Sequence, residues 1–352
     1  MKVVTYREEH AEPLGAALAR ARAAPLLRCS PYVRHRYLGH ASARLELLLG
    51  GDGRILATLG IETVPLRILG TRHDVAVASN TYSLERGALA FLLREWMKSS
   101  AIGAILPTTT RWSEMVGRQA RWQALPGLKT WYLNWGYPVA ETDPWWKRLA
   151  KPPARFVTRI DPAHRVGRVT DGTVGVEEVD AFTADMVTRE SPFELRPDYD
   201  ADVLNWRFST TLDYVRYRVF RIVADGRPRG STVLAEWPHR VVVSFLDGSD
   251  PAVLAHGVLL AIAAVNRGDS RYRQAVLTSM DATMNTVFRR FGFRSTAGEA
   301  PFYLAAFGRT PLTVPVSTRC LVPIELGDQG IALGLLDERS RLRPEAGAKV
   351  RP

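Results

Sequence analysis

Residues 217–235 read YRVFRIVADGRPRGSTVLA, two apolar runs on either side of Asp225-Gly226. Asp-Gly supplies the positive φ angles of a tight turn and the flanks are rich in β-branched residues, so the stretch predicts a β-hairpin. The same signal stands at 45–61, where Gly50-Gly51-Asp52-Gly53 separates LELLL from RILATLGI. The two turns are 173 residues apart, Asp52 to Asp225. Outward from each hairpin the order of signals repeats: a strand (75–79; 241–246), an apolar helix (84–97; 251–266) and a second strand (101–106; 274–278). A short Arg-bearing helix (111–121; 282–291) and an aromatic closing strand (129–135; 301–306) complete each series. An offset that stays near 170 residues through so many elements means two copies of one α/β unit.

The organisation that follows is a first domain over 1–136, a linker over 137–153, a second domain over 154–310 and a partly disordered extension over 311–352. Four prolines, Pro138, Pro144, Pro152 and Pro153, mark the linker, because each removes a donor and fixes φ. Trp145-Trp146 within it is expected to pack the linker onto a domain. Ahead of the second hairpin, 181–190 and 201–208 predict two short helices, the second capped by Asp200.

Composition narrows the function. With 352 residues, 46% hydrophobic and 24% charged, the chain can bury sizeable cores. The longest apolar stretch, 253–265, is too short to span a bilayer, and no apolar leader follows Met1, so membrane insertion and secretion are not expected. Cys29 and Cys320 have no partners at metal-ligand spacing, which gives no metal site and a cytoplasmic location as the expectation. Of the net charge of +11, the first 150 residues carry +8, from 20 basic and 12 acidic residues. Only 6 of the 47 basic residues are Lys and no run of five occurs, a pattern that speaks for base composition rather than for a nucleic-acid partner. Phosphate loops, dinucleotide fingerprints, zincin motifs and nucleophile elbows are all missing from the sequence.

Three segments of the second copy carry a resemblance. DVLNWRF at 202–208, the Tyr-bearing strand with its turn ADGRPRG at 224–230, and FRRFGF at 288–293 resemble the GNAT (GCN5-related N-acetyltransferase) superfamily, in particular GNAT-like proteins encoded with bacterial polysaccharide genes. The resemblance covers roughly 155–307, and reaches 1–135 through the repeat. Tandem copies are similar also to Fem-type aminoacyl transferases. The fold implied is α/β (α+β): tandem GNAT-like domains, each a twisted mixed β-sheet flanked by helices. The activity implied is transfer of an acyl group from acetyl-CoA or another acyl-CoA to an amine of a small molecule or amino sugar. The alternatives are a catalytically degenerate scaffold that binds a ligand without turnover, and aminoacyl transfer from charged tRNA. The sequence leaves the oligomeric state open.

In such a fold the CoA pyrophosphate sits at a helix N-terminus, where unpaired amides and the helix dipole favour anions. In the second copy that place reads LDGSDPA at 246–252, in which Asp247 and Asp250 oppose an anion and Pro251 lacks an N–H. In the first copy it reads NTYSLERGA at 80–88. Ser83 as a helix cap, with Arg86, Gly87 and Ala88, is therefore the candidate pyrophosphate cradle. Glu62, on the second hairpin strand, and Tyr82 are the candidate base and acid; a solvated strand position is the plainer expectation for Glu62. Four residues before the closing Gly292-Phe293, where the family commonly has an acid Tyr, stands Phe288, which cannot donate a proton. Glu236, Trp237 and His239 at the end of the second hairpin could line a cleft.

Overall fold

A computed structural model describes residues 1–21, 26–105, 122–134, 144–146, 148–150, 173–188, 190–238, 240–268, 272, 274–295, 300–307 and 312–323. The first copy runs β1 (Lys2–Thr5), α1 (Ala11–Ala21), α2 (Ser30–Leu38), β2 (Ala43–Leu49), β3 (Ile55–Ile68), β4 (Thr71–Ser83), α3 (Ala88–Ser99), β5 (Ile102–Ile105) and β6 (Gln123–Asn134). The second runs β7 (Val174–Val179), β8 (Leu195–Pro197), α4 (Ala201–Arg207), β9 (Arg216–Ala224), β10 (Arg227–Trp237) and β11 (Arg240–Gly248). It continues with α5 (Pro251–Gly268), β12 (Gln274–Ser279), α6 (Ala282–Arg290), β13 (Arg294–Ser295) and β14 (Ala300–Ala306). Both hairpins form where the turn residues put them, with Gly53, Asp225 and Gly226 at positive φ. The helix over 201–208 forms with Asp200 capping it, Oδ1 accepting from the Val203 amide at 2.8 Å. At 181–190 only a 3-10 turn forms, Ala184–Met186, so the helix expected there is corrected. The segment holds Phe182 and Met186 in the core, and the Asn205 side chain ties both backbone groups of Phe182 (2.7 and 3.0 Å), which fixes a turn in place of a helix.

The strands align in the order β1-β2-β3-β4-β5-β14-β6-β12-β11-β10-β9-β7. Each copy is a mixed sheet in which, among the described residues, the only parallel strand pair is the one bridged by a helix, β4 with β5 across α3 and β11 with β12 across α5. The closing strands are exchanged. β14, from the end of the second copy, pairs antiparallel with β5 of the first, Tyr303 opposite Ile105. β6, from the end of the first copy, pairs antiparallel with β12 of the second, Leu277 opposite Trp131. β6 also meets β14, so the two sheets run into one another. Alternation along the strands divides the core into three. Ile61, Leu59 and Ala78 face Leu89, Leu92 and Trp96 of α3, while Leu234, Val243 and Leu277 face Leu254, Val258 and Ile262 of α5. The opposite faces of both sheets, with Val64, Val77, Val219, Val233 and Phe245, share a single core with α1 and α2.

The expected Arg-bearing helix at 111–121, most of the 137–153 linker and residues 324–352 lie outside the described residues. Trp145 and Trp146 are 74% and 53% exposed, so the expectation that they pack the linker onto a domain is corrected. Among the described residues no helix is long and apolar enough to cross a membrane.

Candidate functional site

The two copies open at the same point. β4 and β5 pair through Ala76, Val77 and Ala78 and then separate, and β11 and β12 do the same after Val242. At that point each carries a bulge: Asn80 and Thr81 lie between the pairs Gly60–Ser79 and Thr58–Tyr82, and Ser244 between Leu234–Val243 and Val233–Phe245. Counting from the bulges places Glu62 of β3 and Glu236 of β10 in equivalent positions. Both are buried carboxylates, and both are flanked by two arginines: Arg36 and Arg207 for Glu62, Arg216 and Arg218 for Glu236.

In the first copy the bulge is held by side chains. Asn80 sits at φ +45, a conformation Asn tolerates better than most residues. Its Nδ2 donates to the hydroxyls of both Tyr32 and Tyr37 at 2.7 Å, and Tyr37 Oη lies 3.4 Å from Ser79 Oγ. Gly60 makes this possible, because a Cβ there would collide with the Tyr37 hydroxyl and lie 2.8 Å from Ser79 Oγ. Glu62 faces the same side of the sheet and is buried, not solvated. Burial pushes its pKa up, but Arg207 and Arg36 outweigh it and hold the carboxyl below its usual range. With Oε2 on Arg36 at 2.5 Å and Oε1 on Arg207, both oxygens are engaged. A carboxylate so held is a poor proton acceptor. Tyr82, two residues beyond Asn80, is partly buried, and desolvation raises its pKa, so the phenol keeps its proton at neutral pH.

The chain then turns into α3. The Leu84 and Glu85 amides both donate to Leu56 O (2.8 and 3.1 Å), and Gly87 at φ +82 starts the helix at Ala88. Ser83 lies too far back to cap it; its hydroxyl donates to Glu85 O at 2.5 Å. The N-cap of α3 is Gly87, which makes no side-chain cap hydrogen bond. The Ala88 amide is engaged with Glu85 O at 3.2 Å, whereas the Arg86 and Gly87 amides have no intramolecular partner among the described residues. Arg86 is exposed beside them. A positive side chain, two amides without a partner among the described residues and a helix start whose N-cap is glycine are groups that an anion could engage.

The second copy has closed both parts of the corresponding site. Asp250 Oδ1 accepts from the Ala252 and Val253 amides at 2.7 and 3.0 Å, so a carboxylate already occupies the anion position of α5. Asp247 is buried against Arg196 at 3.1 Å. The opening between β11 and β12 is filled by Leu321, Val322 and Pro323 from beyond β14. These pack against Val243, Phe245, Val258, Leu277 and Phe288 and leave a cavity of only about 10 Å³, too small for a ligand. This strap is anchored: the Leu321 amide donates to Leu195 O (2.8 Å), Arg319 reaches Asp281 Oδ2 at 2.7 Å, and Gln123 Oε1 accepts from the Val314 amide at 2.9 Å. Phe288 is fully buried in it.

The structure places Glu62 on β3 opposite Val77, Tyr82 and Ser83 at the end of β4, Arg86 and Gly87 in the turn before α3 and Ala88 at its first residue; Glu62 lies on the sheet face away from α3. Trp237 is buried and Glu236 is paired; His239 lies outside the described residues. Sequence reading missed Arg36 and Arg207, which come from α2 and α4, and the Tyr32–Asn80–Tyr37 group. Their signal was faint: SPYVRHRYL of α2 has polar and apolar residues without a clean stripe, as befits a helix held partly by polar contacts. Among the described residues no group of three or more His, Cys, Asp or Glu could hold a metal ion.

No protein-family model matches the chain, and no curated protein sequence matches it either. Solved structures do. A tandem GNAT protein from the clavulanic acid biosynthesis pathway is similar over 88% of this chain and 99% of its own, at 14% identity and a TM-score of 0.53. A GCN5-related N-acetyltransferase from Anabaena variabilis is similar over 87% of this chain and 73% of its own, at 12% identity and a TM-score of 0.51. Saccharomyces cerevisiae N-myristoyltransferase with bound myristoyl-CoA is similar over 87% and 78%, at 9% identity and a TM-score of 0.56. With the repeated strand order, the paired openings and these likenesses, the chain has the tandem GNAT fold.

Proposed function

We propose that the chain is an acyl-CoA-dependent N-acyltransferase whose thioester binds in the first copy, with an amine of a small molecule or amino sugar as acceptor. The observation that carries this is the asymmetry of the two openings. The start of α3 has glycine as its N-cap and carries Arg86, whereas the start of α5 holds its own carboxylate and its opening is filled by the strap. Arg86 and the amides of Arg86 and Gly87 would hold the pyrophosphate. The amine nitrogen attacks the thioester carbonyl and releases its surplus proton to solvent water, the carbon–sulfur bond breaks, and the thiolate needs a proton. Tyr82, kept protonated by burial, is the proposed donor. Glu62 is assigned to fixing the strand edge rather than to taking the amine proton, since both its oxygens are on arginines.

The test is thermal shift with acetyl-CoA, longer acyl-CoAs and charged tRNA, followed by thiol release with a panel of amines. Binding stabilises by RT ln(1 + [L]/Kd), about 2.7 kcal/mol at 100-fold excess. A shift with an acyl-CoA and thiol release that depends on the amine are expected. Absence of any shift with every CoA would overturn the donor assignment, and a shift with charged tRNA alone would move the reading to aminoacyl transfer.

A further inference from the structure

The LNWRF segment lies in the second copy, yet its side chains act on the first. Asn205 ties Phe182, Phe208 enters the shared core, and the two residues between them cross to the first copy. Arg207 pairs with Glu62, and Glu62 pairs with Arg36; all three side chains are no more than 4% exposed. Trp206 stacks on His40 at 4.4 Å and 23°, and on His35 at 5.6 Å and 29°, with the Arg36 guanidinium 5.5 Å from its ring centroid. Tyr214, just beyond, meets Tyr32 edge-on at 5.7 Å.

His35 and Arg36 belong to α2, and so do Tyr32 and Tyr37, whose hydroxyls hold Asn80 at the bulge. The second copy therefore grips α2 at three places, and α2 in turn fixes the left-handed residue at the mouth of the first opening. Beside these ring contacts, one buried carboxylate held between two arginines gives the charged link. Glu236 shows the contrast: its arginines, Arg216 and Arg218, both come from the neighbouring strand β9 of its own copy, and Arg216 is 69% exposed. Of these two equivalent carboxylates, among the described residues, Glu62 alone takes a partner from the other copy.

We propose that Arg207 is a positioning residue for the first copy's site: through Glu62 and Arg36 it sets the placement of α2 and so the geometry of the Asn80 bulge. On this view the second copy, closed to ligand by its strap, serves to shape the site of the first. The link to catalysis rests on the acyltransferase reading; the link to the bulge does not.

The experiment uses the full chain and the variants Arg207→Gln, Arg207→Lys and, as a control at the equivalent clamp, Arg216→Gln. Hydrogen exchange at residues 79–82 should rise at least tenfold in Arg207→Gln while exchange in β11 and α5 stays unchanged. Arg207→Lys, which keeps the charge, should recover part of the protection, and Arg216→Gln should leave residues 79–82 as in the wild type. In turnover, Arg207→Gln should lower kcat at least tenfold with the acyl-CoA Kd within twofold of wild type, and Arg207→Lys should regain part of kcat. Should Arg207→Gln not fold, Arg207→Lys carries the same readouts, with a smaller rise confined to residues 79–82. Unchanged exchange at 79–82, or a rise spread equally over β11 and α5, overturns the proposal. A wild type that binds no acyl-CoA would instead defeat the acyltransferase reading, and the exchange measurement would still decide the role of Arg207.

Discussion

Arg86 and Asp250 stand at equivalent helix starts with opposite charge, and each predicts its own outcome. Arg86→Ala removes one charge-assisted contact, worth roughly 1.5 to 3 kcal/mol, so the acyl-CoA Kd should rise about tenfold or more in calorimetric titration. Asp250→Ala, in the filled second copy, should leave it unchanged. Glu62→Ala should cost about 3 to 5 kcal/mol in urea denaturation, because it leaves two buried arginines without their shared partner. Its pH dependence has a definite sign. The folded-state pKa lies below the ordinary carboxylate value, so the contribution is full above that value and is lost as pH falls through the lowered one. Asp247 runs the other way. Burial raises its pKa from 3.8 to about 7 against the pull of Arg196, so the folded state binds the proton more tightly than the unfolded one. Stability from this group is full below the unfolded value and falls as pH rises toward about 7. Denaturation midpoints at pH 5 and pH 8 should differ less in Asp247→Asn than in wild type.

Among the elements, the strap that begins beyond β14 separates the two openings most clearly. Leu321 and Val322 are 5% and 2% exposed, and the space around them is filled. Leu321→Ala should therefore destabilise by about 2 to 5 kcal/mol, the range for deleting buried methyl groups that leave a cavity. It should not create acyl-CoA binding in the second copy, since Asp250 still occupies the helix start. Titration of a variant that combines Arg86→Ala with Leu321→Ala checks this, and tight binding there would show that the strap alone keeps the second opening from its ligand. The sequence of the strap, VPVSTRCLVP at 314–323, alternates without a clear period. Its place is set by backbone bonds to Leu195 and by the gap left where β11 and β12 separate, which no local pattern encodes.

At the scale of the molecule, the exchange of β6 and β14 makes each half incomplete without the other. A fragment of residues 1–136 carries β6 without β12 and leaves the β5 edge without β14. It also leaves the shared core face of β3 and β4 in water, at about 25 cal/mol per Å² of apolar surface. The fragment should be insoluble, whereas the full chain should unfold in one calorimetric transition whose van't Hoff and calorimetric enthalpies agree. Two separated transitions would show that the halves are independent.

The sequence by itself determined the elements and their order. Asp225-Gly226 and Gly50-Gly51-Asp52-Gly53 fix the hairpins through local backbone conformation, Asp200 and Asp250 start helices through their own hydrogen bonds, and the repeat at 173 residues shows two copies. Those signals act over a few residues, so they can be read without a structure. The sequence also showed that the second helix start opposes an anion, because charge and a missing N–H need no tertiary context. Only the tertiary structure decided that the closing strands trade places, that Glu62 is buried between Arg36 and Arg207 rather than solvated, and that Leu321 and Val322 fill the second opening. Arg207 and Glu62 are 145 residues apart, Gln123 and Val314 191. Contacts at such separations depend on which faces two sheets present to one another, and the pattern along a single strand records which of its sides is apolar but not what will cover it.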